Sequence, residues 1–452
     1  MVESTEARGQ WGSKLGFIMA AAGSAVGLGN IWRFPYLTGE NGGGAFVLVY
    51  LLCVLLIGIP LLYNEVAIGR LTGKNPVGAM NKEKPKSFWV ISGILTIFLC
   101  FFVLSYYSVI AGWTIGYIFS SLSGKAMDFG EFAANGSYTI GLMSVFLLMT
   151  IGIILGGVKG GIEKASKIMM PILLLLIILL IIRTLTLDGA MAGVKYYLIP
   201  DLSKINGKVV LQALGQAFFS MSVGWGLMVT YGSYVPKNQN LVSSGVWIAF
   251  IDTLVALLGG LLIFPAVFAF GKDPAGGVAL VFQVLPEVFE QMPMGSIVGA
   301  LFFLLLMVAA LTSSISMLEV PVSYLIDEKR WSRKKAAWIV GGFAFLVGIP
   351  SALSNGGSEL FSAGGMFGER SFFDVMDLVW GTWGVVIVCL MFSLFSGWAI
   401  STTRLADELA LGAEGFKKPL IGNTSFADIW MFFIKYICPV VIAIMIVFQV
   451  TE

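Results

Sequence analysis

Residues 16–36 read GFIMAAAGSAVGLGNIWRFPY, an apolar stretch of membrane-spanning length interrupted in its middle by Gly23, Gly27 and Gly29. Unpaired backbone N–H and C=O groups are costly in hydrocarbon, so irregular backbone at membrane depth is confined to places buried in protein or lining a cavity. A second apolar segment, residues 211–234, reads LQALGQAFFSMSVGWGLMVTYGSY and carries Ser220, Ser222, Gly224 and Gly226 at its centre. In a single span, glycine ordinarily serves close helix packing. Two interrupted spans at corresponding places in two halves instead predict an inverted-repeat secondary transporter. In such a transporter, half-helix N-termini face an anionic group and freed carbonyls face a cation.

Composition sets the class. Hydrophobic residues make up 57% of the 452-residue chain, charged residues 12%, and the mean hydropathy is +0.89. These values lie far from the averages of soluble domains. Stretches long enough to cross a bilayer fall at about 13–38, 43–69, 88–122, 138–158, 163–187, 208–235, 242–270, 296–328, 335–353, 372–402 and 426–449. The expectation is an all-α polytopic membrane protein of about eleven helices, the first and sixth of them broken. Most Lys and Arg residues, among them Arg70, Lys74, Lys82, Lys164, Arg333 and Lys334, fall on the side shared with Lys14. That bias places the N-terminus in the cytoplasm. Lys435 lies within the last span.

Other chemistry is excluded or disfavoured. The chain has no histidine, which removes Ser-His and Cys-His nucleophilic sites and His-ligated zinc. It also has no G-x-x-x-x-G-K-[ST] loop for nucleotides. A net charge of +2 without a basic patch gives no reason to expect nucleic acid. The four cysteines, Cys53, Cys100, Cys389 and Cys438, all lie in apolar segments and read as small buried hydrophobes.

Several polar residues fall inside spans. Ala309, Thr312 and Ser313 are spaced i, i+3 and i+4, on one helix face. The same hydroxyls also suit back-bonding to their own helix. Asp252 sits in AFIDTLVALLGG, where a carboxylate is expensive and by default functional.

GSAVGLGNIWRFPY, followed by ENGGGAFVLVY and GIPLLYNEVAIGR, resembles the opening of the neurotransmitter:sodium symporters, the family of the bacterial leucine transporter and of the serotonin, dopamine and GABA carriers. The likeness continues through AFFSMSVGWG, ALTSSIS and FFDVMD. The resemblance implies two inverted five-helix repeats, at about 13–187 and 208–402, with an extra helix at about 426–449, all in one transport domain. It also implies Na+ at two sites. One is made by Ala25, Asn30, Ser220 and Asp252, the other by Gly23, Val26, Ala309, Thr312 and Ser313, both rich in the oxygen donors that hard cations take.

Chloride-dependent relatives carry Asn at the position of Asp252 and Ser at that of Ala256, while Tyr50, Gln216 and Ser220 match their chloride site. The Asp252 carboxylate is therefore expected to supply the missing negative charge, with no chloride requirement. The substrate pocket is expected at Ser24, Ala25, Leu28, Gly29, Val103, Tyr107, Ile110, Phe219, Ser220, Ser222, Trp225, Ser313 and Met317. Amine carriers hold Asp where this chain has Gly27, so the substrate should bring its own carboxylate. The apolar lining suits a neutral hydrophobic or aromatic amino acid. Arg33 and Asp377 resemble an outer gate with Tyr107 and Phe219 as its lid; Arg8, Trp11, Tyr234 and Asp327 resemble an inner gate. Gly161 and Pro171 match the family's unwinding segment in the fifth span.

The sequence reading is a sodium-coupled symporter in the plasma membrane, with an amino acid and the lipid bilayer as partners and no obligate protein partner. A sensor or channel of the same fold that binds an amino acid without net transport is the alternative.

Overall fold

The computed structural model describes residues 9–124, 127–274 and 280–451. The first span begins at Lys14–Ala25, whose N-terminus is capped by the Ser13 hydroxyl accepting from Gly16 N. The helix ends where Val26 turns to extended backbone, and a new helix starts at Gly29 and runs to Glu40. The two halves are bent by 50°.

The sixth span is also interrupted. Gly207–Ser220 stops, and Leu227–Gly232 resumes the path. Between them Ser222, Gly224 and Gly226 have φ of 52°, 84° and 63°, a left-handed backbone that disfavours side chains other than hydrogen. Gly224 is required twice over, since a β-carbon there would lie 2.7 Å from Val385 O.

Among the described residues, nine helices are long and apolar enough to cross a bilayer, and the bent pair makes a tenth. The sixth span is divided by its break into helices of 14 and 6 residues, each too short to cross alone; counted as one broken span it brings the total to eleven. The second span is Gly44–Thr72, the third Val90–Ser123, the fourth Gly136–Leu155 and the fifth Val158–Leu185. The seventh is Leu241–Ala269, the eighth Gly295–Lys329, the ninth Arg333–Leu353, the tenth Phe372–Ala399 and the eleventh Phe426–Val450. The fifth span starts earlier than its sequence suggests, because Val158–Glu163 adds a π-helical turn and takes in residues read as loop.

The broken spans lie at the centre. The long third and eighth spans pack against each other and flank the first break, while the seventh passes behind it: a β-carbon at Gly259 would lie 2.8 Å from Asn30 O. The second and tenth spans also reach the second break, through Glu65 and Val385 at Gly224, and this surrounding protein keeps the interrupted backbone out of lipid.

Candidate functional site

The first break faces the eighth span. Thr312 Oγ1 lies 3.2 Å from Val26 O and 2.8 Å from Ala309 O. Ser313 Oγ lies 3.2 Å from both Ser24 O and Val26 O, and 3.5 Å from Ala309 O. Gly23 packs on the same face, where a β-carbon would sit 3.3 Å from Thr312 Cβ. The structure thus gathers two hydroxyls and two carbonyls of the second predicted cation set, all buried. Both hydroxyls do bond back to Ala309, as helix chemistry allows, and they also reach across to the break.

A second polar knot lies on the other side of the break. Asn30 Nδ2 donates to Asp252 Oδ1 at 2.7 Å, to Asp252 O at 3.0 Å and to Ser220 Oγ at 3.1 Å. Ser220 Oγ donates to Asp252 Oδ2 at 2.7 Å, and the Tyr50 hydroxyl lies 3.0 Å from Ser220 Oγ. Asn30 Oδ1 meanwhile accepts from Gly27 N at 3.2 Å, which fixes the amide orientation and ties the knot to the broken backbone. Gln216 Nε2 donates to Gly29 O at 2.8 Å. Asn30, Ser220 and Asp252 are each fully buried. Ala25, the fourth residue of this predicted set, lines the adjoining cavity.

That cavity measures about 30 Å³, room for little more than a water molecule. Ser24, Ala25, Leu28, Gly29, Val103, Tyr107, Phe219, Ser222, Trp225, Ser313 and Met317 all line it, together with Gly27 and the unanticipated Leu227. Ile110 and Ser220 are buried without lining it; Ser220 belongs to the knot beside Asp252.

Leu28 N donates to the Tyr107 hydroxyl at 3.4 Å, and Ser24 O accepts from Ser222 Oγ at 3.1 Å and Ser313 Oγ at 3.2 Å. The side walls are apolar. Phe219 closes the top against Gly29, where a β-carbon would come within 2.6 Å of its ring, and it meets Trp225 edge-on at 5.7 Å. A β-carbon at Gly27 would sit 2.4 Å from Ser313 Oγ, so a side chain there would have to displace that hydroxyl.

The gates come out differently from the sequence reading. Arg33 lies over the Phe219 ring at 4.7 Å. Asp377 Oδ1 accepts from the Tyr106 hydroxyl at 2.8 Å, and no ion pair joins Arg33 to Asp377 among the described residues. The two charges flank the lid without bridging it.

On the inner side Trp11 Nε1 donates to Tyr231 O at 2.9 Å and Trp11 N to Tyr234 O at 3.3 Å, clasping the start of the first span to the sixth. Asp327 accepts from Asn75 N and Nδ2 at 3.2 and 2.9 Å. Arg8 lies outside the described residues.

Four buried carboxylates, Glu65, Glu163, Glu319 and Glu408, escaped the sequence reading. Glu319 accepts from the Tyr234 hydroxyl at 2.7 Å and pairs with Arg333 at 2.6 Å. Glu65 accepts from Gly224 N at 2.6 Å and so shapes the second break from behind. Glu163 accepts from Gly12 N at 2.6 Å and Ser13 Oγ at 2.9 Å, and pairs with Lys167 at 2.5 Å. The rule that singled out Asp252, an acid within an apolar span, applied equally to Glu65 and Glu319.

The comparisons fit this arrangement. The model of the sodium:neurotransmitter symporter family matches residues 8–131 and 126–452. The uncharacterized sodium-dependent transporter YhdH of Bacillus subtilis (strain 168) is 43% identical over 97% of this chain and 96% of its own length. An uncharacterized sodium-dependent transporter of Haemophilus influenzae is 36% identical over 99% of each. The crystal structure of MhsT in complex with L-phenylalanine superposes with a TM-score of 0.87 at 42% identity, over 97% of this chain and 99% of that one. The fold is the leucine-transporter type, with inverted five-helix repeats and broken first and sixth helices. The chain belongs to the sodium:neurotransmitter symporter family and is a sodium-dependent, multi-pass membrane transporter.

Proposed function

We propose that this transporter carries neutral hydrophobic or aromatic α-amino acids together with sodium, by alternating access and without chloride. The observation that supports this most is the division of labour around the cavity: main-chain polar groups of the first break on one part of its wall, apolar side chains on the rest, and a glycine at Gly27 that brings no carboxylate of its own. A carboxylate placed between Leu28 N and the Tyr107 hydroxyl takes both as donors. An ammonium near Ser24 O displaces the Ser222 or Ser313 hydroxyl that now bonds there. The side chain then lies among Val103, Phe219, Trp225 and Met317. MhsT, which binds L-phenylalanine, lends weight to the aromatic end of that range.

The first cation set is assigned to Ala25, Asn30, Ser220 and Asp252, the second to Gly23, Val26, Ala309, Thr312 and Ser313. Both offer oxygen donors, as Na+ prefers, and both use the backbone or side chains of the first break. Sodium binding therefore orders the strand of chain that also holds the substrate, which makes binding of the two mutually favourable. Asp252 supplies a fixed negative charge, so no chloride ion is needed.

A cavity of about 30 Å³ admits no amino acid, so loading requires Phe219 and Trp225 to swing away. Closure of the outer side brings Arg33 toward Asp377. Opening of the inner side releases Trp11 from the sixth span, with Gly161 and Pro171 allowing the fifth span to unwind. The N-terminus is placed in the cytoplasm and the protein in the plasma membrane. Uptake of the twenty amino acids into proteoliposomes, with and without an inward sodium gradient, tests the reading. Binding without sodium-driven accumulation would overturn it in favour of a sensor.

A further inference from the structure

Lys435 is a cation ten residues into the eleventh span, on a helix that runs apolar from Ile437 to Phe448. Among the described residues no carboxylate pairs with it. Its ammonium lies 5.2 Å from the centre of the Trp398 ring and 5.4 Å from that of Tyr436. The two rings meet edge-on at 5.9 Å, and Trp398 Nε1 donates to Lys435 O at 3.0 Å. The tenth and eleventh spans touch here: a β-carbon on Gly397 would stand 3.0 Å from Lys435 Cα. The rings face outward, with Trp398 62% and Tyr436 43% exposed.

The depth of this cluster follows from its neighbours. Trp398 is the penultimate residue of the tenth span, and Ser401 caps a polar helix, Thr402–Ala410, three residues later. Arg404 on that helix pairs with Glu83 at 2.7 Å in an exposed position. Lys435 is therefore level with the end of the tenth span, on the far side of the helical turns Phe426–Phe432. That end sets the membrane–water boundary, where Trp and Tyr concentrate, and the Lys435 stem can lie along the rings while the ammonium reaches the headgroups. With the N-terminus inside, that boundary belongs to the cytoplasmic leaflet.

We propose that Lys435, Trp398 and Tyr436 form a binding site for the headgroup of an anionic phospholipid of the inner leaflet. The ammonium meets the phosphodiester, and the exposed ring faces pack the upper acyl and glycerol region. A net-negative lipid is favoured over a zwitterionic one, because the choline or ethanolamine of the latter is repelled by the same ammonium. The inference stands apart from the proposed substrate and would survive its failure.

The test measures how much phosphatidylglycerol and phosphatidylcholine stay with the protein purified from bilayers that contain both. Lys435→Gln should lower the preference for phosphatidylglycerol about five-fold, the effect of one basic residue near an anionic surface, while Lys435→Arg should retain it. In the unaltered protein, tryptophan emission should be quenched more by brominated phosphatidylglycerol than by brominated phosphatidylcholine, and Trp398→Phe should remove the difference. This arm needs no change at Lys435, so a misfolded variant cannot hide the answer. Equal retention by wild type and Lys435→Gln overturns the site, as does equal quenching by the two lipids. Abolition of the preference by millimolar inorganic phosphate would also overturn it, because the site would then serve a free anion.

Discussion

Replacing Asp252 by Asn removes one negative charge from the polar knot while nearly preserving its shape. The carboxylate is fully buried, accepts one hydrogen bond from Asn30 and one from Ser220, each at 2.7 Å, and pairs with no Lys or Arg among the described residues. A cation from solution is then its natural counter-charge. Two unit charges roughly 4 Å apart at an effective dielectric of about 20 attract by about 4 kcal/mol. Losing that attraction lowers sodium affinity by roughly 10²- to 10³-fold. The new amide also turns a donor toward Asn30 or Ser220, both of which already donate, which adds a smaller penalty.

The assay is the sodium dependence of phenylalanine uptake in proteoliposomes, run in chloride and in gluconate. Wild type should behave identically in both media, and Asp252→Asn should need at least about 100-fold more sodium. Adding Ala256→Ser beside Tyr50, Gln216 and Ser220 should return activity in chloride only. If wild-type uptake requires chloride, or if Asp252→Asn keeps its sodium affinity within about threefold, less than 1 kcal/mol, Asp252 is not the fixed counter-charge.

Thr312→Ala with Ser313→Ala removes both hydroxyls that reach Val26 O. Sodium affinity should fall by at least tenfold with the thermal transition little changed, and equal sodium affinity in that double variant would remove the second cation set. Tryptamine and phenethylamine should compete at least about 100-fold more weakly than tryptophan and phenylalanine, since they leave Leu28 N and the Tyr107 hydroxyl without an anion; equal competition would count against an amino-acid carrier. Glu319→Gln leaves the Arg333 guanidinium without its 2.6 Å partner. Breaking a buried pair from one side costs about 3–5 kcal/mol, so a cysteine placed at Trp11 should react faster with a cytoplasmic-side thiol reagent, and an unchanged rate would show that this network does not hold the inner side shut.

Both breaks were legible because their signal is local. Glycine and serine in an apolar run mark where a helix cannot continue, and the helices do stop at Ala25 and Ser220. Asp252 was legible because a charge in an apolar span stands out in one dimension. Glu65 and Glu319 carried the same signal but lay within runs read for another purpose, GIPLLYNEVAIGR and the stretch after ALTSSIS. The gates were harder. Arg33 and Asp377 are on the expected spans, but whether their side chains meet depends on how far the outer halves have closed. Arg33 instead lies on Phe219 and Asp377 takes Tyr106, partners that only the packed structure reveals. The cavity's lining was readable in kind and its volume was not, because volume depends on ring positions.

In the proposed arrangement the groups that greet the common part of every amino acid, Leu28 N–H and Ser24 C=O, belong to the main chain. Point mutation cannot delete a peptide group. Substrate preference is then free to drift through Val103, Trp225 and Met317 while the grip on the ammonium and carboxylate is inherited unchanged. One scaffold can thus acquire new cargo by single substitutions, and at Gly27 an added acid would have to displace the Ser313 hydroxyl, which also reaches Val26 O.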